Sequence, residues 1–438
     1  MYKNSLVKLF TNKINRKKLK IGIVGLGYVG LPLLYAFSRN KKIKVFGFDS
    51  DKSKIKKLVL GKSYINYFKK ENINEMILNK VQFTYNFSRI KEVDIIILCL
   101  PTPLKKNKIP DMSFINNFLK QNSKYFQKNQ AISLESTTYP GTSREIVLPY
   151  ILKRKFIPGQ DFALIYSPER EDPGNKKFNL SKIPKVVGGL TNNCKDIGSK
   201  IYSLLNIKII KTSSIEIAEF TKILENVYRS VNIGLVNELK MLCTKMKIDI
   251  FEIINAAKTK PFGFQAFYPG PGYGGHCIPI DPFLLSWVAK RYNFETKFIK
   301  LSGEINSRII SSIDKKILKI VNKKSGKILI LGAAYKKNVD DYRESPALVL
   351  MNKLSQRKIN FDYYDPYVKM INNSRSLKKI SNIKSIRLTY KNISSYNLVV
   401  LITDHDLVDY SKLQKYSKLI LDSRGVYKYG QFDNVISI

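Results

Sequence analysis

Cysteine and histidine are scarce in this chain, with four cysteines and two histidines in 438 residues. Cys99, Cys194, Cys243 and Cys277 lie far apart, and no CxxC or HxxxH pair occurs. That excludes a zinc-finger arrangement and a disulfide framework, so no metal is expected and a reducing cytoplasm fits best. Long apolar runs are also missing. "VDIIILCL" at 93–100 falls far short of the roughly 20 residues that span a bilayer. The opening "MYKNSLVKLFTNKINRKK" has charge but no apolar run of signal-peptide length, and residues 1–18 read as a basic tail. Acidic residues are few: 34 Asp and Glu against 76 Lys and Arg, a formal charge of +42. The excess comes as lysine together with Ile, Asn and Tyr, spread over the whole chain without a basic block, zinc finger or RNP motif. This pattern reads as drift in an AT-rich coding sequence, so neither a nucleic-acid nor a membrane partner is expected.

Strand and helix signals alternate through 19–212. "KIGIVGL" reads as a buried strand, "YVGLPLLYAFSRN" as a helix, and "KVFGFD", "VDIIILCL", "AISLES", "FALIYSPE" and "KVVGG" as later strands. That order predicts a doubly wound parallel sheet. Between Ser213 and about Lys247 the only Gly or Pro is Gly234, and the apolar period is helical. Further helices near 249–258, 282–292 and 296–323 make 213–323 a central helical domain. "GKILILGAAY", "INFDYYDP", "LVVLITD" and "KLILDSRG" then restart the α/β pattern over 324–438. The fold class expected is α/β, with two Rossmann-like domains joined by a helical domain with one long helix.

Four motifs carry chemistry. "GLGYVG" places Gly25, Gly27 and Gly30, with Tyr28 and Val29 between them, directly after a strand and at a helix start. Asp49 closes the next strand about 20 residues on, as a dinucleotide fingerprint requires. The glycines allow the turn, the approach of a pyrophosphate and close helix packing, and the helix N-terminus attracts the phosphates. Asp49 can accept from ribose hydroxyls and repels a 2′-phosphate, which favours NAD over NADP.

On the long helix, Glu219, Lys222, Asn226 and Arg229 are spaced to share one face. A solvated stripe with i,i+3 ion pairs explains that spacing as well as a catalytic face does. "YPGPGYGGHCIPIDPF" (268–283) sets Cys277 behind Gly272, Tyr273, Gly274 and Gly275. Asp281-Pro282 reads as a helix start, and a nearby helix N-terminus favours thiolate. A Gly-rich loop is a poor place to bury a thiol, whereas adjacent His276 and Cys277 side chains on an extended loop point apart. In "AAYKKNVDDYRESP" (333–346), Lys336 and Arg343 are candidate phosphate contacts or simply loop charges.

Together with "PTPL" (101–104), "ESTTYPG" (135–141), "YSPEREDPG" (166–174), "AEFTKILENVYRSVNIGLVNE" (218–238) and "DSRG" (422–425), these motifs resemble the UDP-glucose/GDP-mannose dehydrogenase family from about residue 19 onward. "PEREDPG" and "TKPFGF…YPGPGYGGHCIPIDPF" are most similar to members acting on UDP-N-acetyl-D-glucosamine in surface-polysaccharide pathways. The resemblance implies oxidation of a sugar C6 alcohol to a carboxylate, with two NAD⁺ reduced. Cys277 would carry a thiohemiacetal and then a thioester.

It further implies that Lys222 and Asn226 stabilise the C6 oxygen and that Asp281 holds a water or assists proton transfer. Thr137 would position that water, and Glu169 would act as base in thioester hydrolysis. Pro101, Thr102 and Thr137 join the cofactor site, with Asp49 and Lys54 at the adenosine ribose and Arg343 reaching the cofactor. Lys336 and Arg424 would contact the sugar nucleotide, and Glu169, Lys222, Asn226, Arg229, Tyr273 and Gly274 the sugar. UDP-glucose members carry a second glutamate four residues after the first; here Pro173 stands there. UDP-N-acetylmannosamine, UDP-N-acetylgalactosamine and UDP-glucose remain alternative substrates, and a basic nucleic-acid-binding protein is the distant alternative. A homodimer or higher homo-oligomer is expected.

Overall fold

Strand β1 (Lys20–Val24) is apolar on both faces and lies mid-sheet, as a central parallel strand must. The computed structural model describes residues 5–65, 68–170, 182–275, 278–321, 326–372, 380 and 382–438. The chain divides into two compact units, residues 1–225 with 290–292, and residues 226–289 with 293–438.

In the first unit, β1 is joined by β2 (Lys44–Phe48), β3 (Gln82–Thr84), β4 (Ile95–Leu98), β5 (Gln130–Leu134), β6 (Phe162–Tyr166), β7 (Lys185–Gly189) and β8 (Ile209–Lys211). Their order is β3-β2-β1-β4-β5-β6-β7-β8. The first six of these in space are parallel and match the dinucleotide-binding order, whose reversal between β1 and β4 opens a crevice at the strand C-termini. β7 departs from the expected parallel sheet: it runs antiparallel to β6, with Tyr166 opposite Gly188. A strand buried on both faces reads the same in either direction, so the apolar run "KVVGG" carried no sign of this.

The N-terminal stretch read as a basic tail is instead helix α1 (Ser5–Asn15). Leu6 and Phe10, one turn apart, are 1% and 0% exposed. They join Leu34 and Phe37 of α2 (Gly30–Ser38) and Ile197 and Ile201 of α3 (Asn192–Tyr202) in one apolar cluster on the sheet. Lys13 pairs with Asp94 at 2.5 Å, and Asp94 also accepts from the Lys20 N–H at 2.7 Å. The lysines conceal an amphipathic helix whose inner face completes the core.

Helix α4 (Ile215–Met246) is 32 residues long and runs from the first unit into the second. The second unit continues with α5 (Asp281–Ala289) and α6 (Lys297–Ile320). It then forms a parallel sheet of β9 (Ile328–Leu331), β10 (Phe361–Tyr364), β13 (Leu398–Leu401), β14 (Ile420–Asp422) and β15 (Val435–Ser437), in the order β10-β9-β13-β14-β15. A small antiparallel ribbon, β11 (Met370–Ile371) with β12 (Ile383–Lys384), interrupts the sequence between β10 and β13. The strand order again reverses, between β9 and β13, so this sheet has its own crevice. Among the described residues no helix is long and apolar enough to cross a membrane.

Truncating Phe10 tests the docked helix. Phe10→Ala removes a fully buried ring and should destabilise the first unit by about 3–5 kcal/mol. A denaturant midpoint unchanged from the parent would return residues 5–15 to the status of a tail.

Candidate active site

The cofactor cradle forms where β1 ends. Gly25 takes φ +90°, and a Cβ there would lie 2.6 Å from the Cys99 carbonyl oxygen. A Cβ on Gly30 would come 1.9 Å from the Gly25 oxygen, so the first turn of α2 can close only on glycine. Gly27 differs, since a Cβ there meets nothing within 4 Å. The backbone at Gly27 therefore borders open space beside a helix N-terminus. Val29, at the N-cap of that helix, supplies no capping side-chain bond. A helix N-terminus with no side-chain cap, a bare glycine and the positive dipole end suit a pyrophosphate.

Asp49 is 6% exposed at the end of β2. Its Oδ2 accepts from the Leu26 N–H at 2.9 Å and from Lys54 Nζ at 3.2 Å, and its Oδ1 accepts from the Asp51 N–H at 2.9 Å. Each carboxylate oxygen offers about two acceptor sites, so Oδ1 retains one for a ribose hydroxyl. The donor set fits NAD: phosphates at α2 and the adenosine ribose at Asp49. Tyr28 and Val29 are half-buried in the same turn.

Beside the cradle, Thr102 Oγ1 donates to the Thr137 carbonyl at 2.6 Å, linking "PTPL" to "ESTTYPG", while Pro101 is exposed. Thr137 itself is half-buried. Glu219, read as part of a face with Lys222, Asn226 and Arg229, turns instead to this loop. Its carboxylate accepts from the Gly141 and Ser143 N–H groups at 2.6 and 2.8 Å, at the start of the helical stretch 143–153. Burial pushes the Glu219 carboxyl up to about 7, against those bonds. The four residues do not share one environment: Glu219 and Lys222 are buried, Asn226 is half-buried and Arg229 is exposed.

In the first unit, the buried pair Lys185 and Glu135 was missed in the sequence. Lys185 Nζ lies 2.5 Å from Glu135 Oε2 and 3.6 Å from Glu169 Oε2, inside the first unit. The available signal was a lysine and a glutamate bordering runs otherwise read as fully buried strands. Glu169 Oε1 accepts from the Arg170 N–H at 2.6 Å.

In the second unit, Asn226 Nδ2 donates to Asp281 Oδ2 at 2.6 Å, and Asp281 is 2% exposed at the start of α5. The glycines of 270–275 answer to close packing. A Cβ on Gly274 would lie 2.7 Å from the Glu344 oxygen, and one on Gly275 would lie 2.9 Å from the Tyr335 ring. The Gly275 N–H donates to the Arg343 carbonyl at 3.1 Å. Asn237, fully buried on α4, accepts from the Gly270 N–H at 2.9 Å and anchors the loop's start. Tyr273 is half-buried, and burial raises its phenol while Ser230 hydrogen-bonds to it. Cys277 and His276 lie outside the described residues, as does Pro173.

Around the second crevice, Arg424 Nε donates to the Ile402 carbonyl at 2.6 Å, with Asp404 at 3.7 Å. Burial pulls the guanidinium down, against the pull of Asp404 and Asp422. Lys336 Nζ stands 5.7 Å over the Tyr335 ring, and Arg343 is forked onto Asp341 at 2.7–3.2 Å. Their loop is fixed by residues that sequence reading passed over. Buried Asp365 accepts from the Ala333 and Ala334 N–H groups and faces His405 Nε2 at 2.9 Å, and His405 Nδ1 accepts from the Asn338 N–H. Lys240, buried on α4, donates to the Ser423 carbonyl at 2.8 Å, next to Arg424. Burial pulls this lysine down to about 7.

An NAD-type cradle in one Rossmann sheet and a second sheet with cations around its own crevice fit an NAD-dependent nucleotide-sugar dehydrogenase. The profiles of the UDP-glucose/GDP-mannose dehydrogenase family match in three parts: the NAD binding domain at 19–206, the central domain at 216–308 and the UDP binding domain at 329–429. The chain belongs to that family. It is 32% identical to a UDP-N-acetyl-D-glucosamine 6-dehydrogenase of Pseudomonas aeruginosa, over 80% of this chain and 84% of that one. It is 31% identical to a UDP-N-acetyl-D-mannosamine dehydrogenase of Campylobacter jejuni, over 89% and 93%. The fold is similar to a solved UDP-D-ManNAc dehydrogenase from Pyrococcus horikoshii, with a TM-score of 0.84, 27% identity and coverage of 96% and 99%.

Asp49→Ala should weaken NAD⁺ binding and narrow the preference over NADP⁺, because the 2′-phosphate then meets Lys54 without the carboxylate. A hydrogen bond to a charged group contributes about 1.5–3 kcal/mol, so KM for NAD⁺ should rise roughly ten- to hundredfold. A variant with the parent's KM and cofactor ratio would remove Asp49 from the ribose site.

Proposed function

We propose that this enzyme oxidises C6 of UDP-N-acetyl-D-glucosamine to the uronic acid, in two stages, for surface-polysaccharide synthesis. The observation that carries the chemistry is the Asn226–Asp281 hydrogen bond. It spends one amide hydrogen and fixes the amide, leaving the second hydrogen for an oxygen that gains charge. Lys222, one turn earlier on the helix, supplies a second donor. NAD, held by Gly25, Gly27, Gly30 and Asp49, supplies the hydride acceptor at each stage.

The chain's own residues do the rest. Lys222 and Asn226 stabilise the C6 oxygen as it loses its proton, and Asp281 with Lys222 passes that proton on. Cys277 Sγ adds to the C6 aldehyde, because a carbon without a tetrahedral C–H cannot release the second hydride readily. Glu169 takes a proton from the water that cleaves the resulting thioester, with Thr137 orienting the water. Lys336 and Arg424 bind the sugar nucleotide, and Arg343 reaches the cofactor.

The substrate choice rests on the motif wording, on relatives named for UDP-N-acetyl-D-glucosamine and on Arg229. Arg229 is exposed, and its forked donors suit an acetamido carbonyl. Relatives named for UDP-N-acetyl-D-mannosamine support that epimer as the second reading. Side-by-side kinetics should give UDP-N-acetylglucosamine a higher kcat/KM than UDP-N-acetylmannosamine and UDP-glucose. Against UDP-glucose, which lacks the acetamido group, a site built to bond that group can discriminate by as much as roughly 10⁴-fold. Better use of either rival would reassign the substrate, and an Arg229→Ala variant with unchanged selectivity would remove Arg229 from the sugar site.

A second copy of the chain is the proposed partner. Ile217, Leu224, Tyr228, Leu235, Leu242 and Met246 follow a near-heptad spacing on α4 and are each 47–58% exposed. An apolar stripe running nearly the whole of a helix about 48 Å long is self-complementary across a two-fold axis. Light scattering should show a dimer or larger assembly that Leu235→Glu shifts toward monomer. A parent chain that is monomeric at micromolar concentration would rule this out.

A further inference from the structure

One ammonium sits between two carboxylates where almost no solvent reaches. The Lys185 side chain is 4% exposed, Glu135 0% and Glu169 12%. Lys185 contacts Glu135 at 2.5 Å, within hydrogen-bond range, and Glu169 at 3.6 Å, beyond it. The cation is thus committed to Glu135 and acts on Glu169 through its field. The backbone sets this arrangement, with the Glu135 N–H bonded to the Leu98 carbonyl and the Glu169 N–H to the Glu135 carbonyl.

Other groups face the cluster. Cys99 follows β4, the Tyr202 ring lies 5.3 Å from Lys185 Nζ and its hydroxyl meets Ser133 at 2.9 Å, and Arg170 carries the N–H on Glu169 Oε1. Burial raises Glu135, and the Lys185 ammonium at 2.5 Å opposes that rise and keeps the two as an ion pair. Burial also pulls Lys185 down, but Glu135 and Glu169 together hold it above the ordinary lysine value. Cys99 is driven up by burial and by Glu135, which leaves it a thiol and not a competing nucleophile. A buried ion pair contributes little to stability by itself, so its presence beside Glu169 calls for another use.

We propose that Lys185 and Glu135 are positioning residues that set the charge and orientation of Glu169 and so govern the pH dependence of thioester cleavage. The inference rests on the reading of Glu169 as the general base. In that step the water oxygen bonds to the thioester carbon, the C–S bond breaks and the Cys277 thiolate leaves. The water's proton passes to Glu169. Lys185 favours the ionised, proton-accepting form of Glu169, while Glu135 draws part of that field away. The two residues therefore act in opposite directions, which a merely structural pair would not do.

The test follows decay of the Cys277 acyl adduct by intact-mass analysis after mixing holoenzyme with UDP-sugar across pH, with Cys277→Ala as the blank. Glu169→Gln should accumulate the adduct; if it turns over without one, the base reading fails and this inference with it. Given accumulation there, Lys185→Met should move the acid limb of adduct decay to higher pH. An opposite charge within about 4–6 Å shifts a carboxylate by about 1–3 units, which sets the expected size. Glu135→Gln should move the limb the other way, and it keeps the question open to test if Lys185→Met does not fold. Lys185→Arg should restore the parent profile. An acid limb that stays in place in Glu135→Gln, or moves in the same direction in both variants, would overturn the proposal while leaving Glu169 as the base.

Discussion

The cradle depends on the contact between Gly25 and Gly30. A turn from strand to helix that tight leaves no room for a Cβ at either position, since a Cβ would come within 2.6 and 1.9 Å of backbone oxygen, far inside contact. The turn places the Leu26 N–H on Asp49, ties β1 to the end of β2 and aims the first turn of α2 at open space beside Gly27. The open helix N-terminus and the position of the Asp49 carboxylate both follow from one backbone conformation. Filling either glycine would displace the helix and, through the Leu26 N–H, the Asp49 carboxylate.

Buried charge is the second organising feature, and it serves mainly to hold loops. Glu219 grips two N–H groups of the "ESTTYPG" loop, Asp365 grips two of the loop bearing Lys336, and Lys240 grips the carbonyl beside Arg424. Each such group loses hydration on burial, and the loss is offset only where its bonds are satisfied. The titrations follow the partners. Glu219 and Lys240 are moved toward neutrality by burial, whereas Asp365 is held below the ordinary carboxylate range despite burial, by His405 and the backbone donors. For Asp365 the sign is that of a depressed acid: its stabilisation is complete above its unfolded value and is lost as pH falls through the folded one.

Much of this was legible in the sequence for definite reasons. Apolar runs bounded by Gly and charged residues marked the strands, and the fingerprint glycines and Asp49 marked the cradle, because backbone geometry leaves no other choice there. The long helix showed as a stretch almost without Gly or Pro. What escaped was whatever depends on distant partners. Helix α1 was concealed by lysines on its outer face, although Leu6 and Phe10 stand one turn apart. Lys185 and Glu135 meet only once β5 and β7 are placed in the sheet, and the antiparallel run of β7 leaves no periodic trace. The glycines of 270–275 read as a poor place to bury a side chain, while the structure packs Gly274 and Gly275 closely against Glu344 and Tyr335.

The central claim is a four-electron oxidation completed on one enzyme, with a cysteine carrying the second stage. Counting NADH formed against uronic acid released, with the parent enzyme and limiting UDP-N-acetylglucosamine, tests it most directly. The account predicts two NADH for each acid and no free aldehyde. One NADH per sugar, with the C6 aldehyde as the released product, would contradict it.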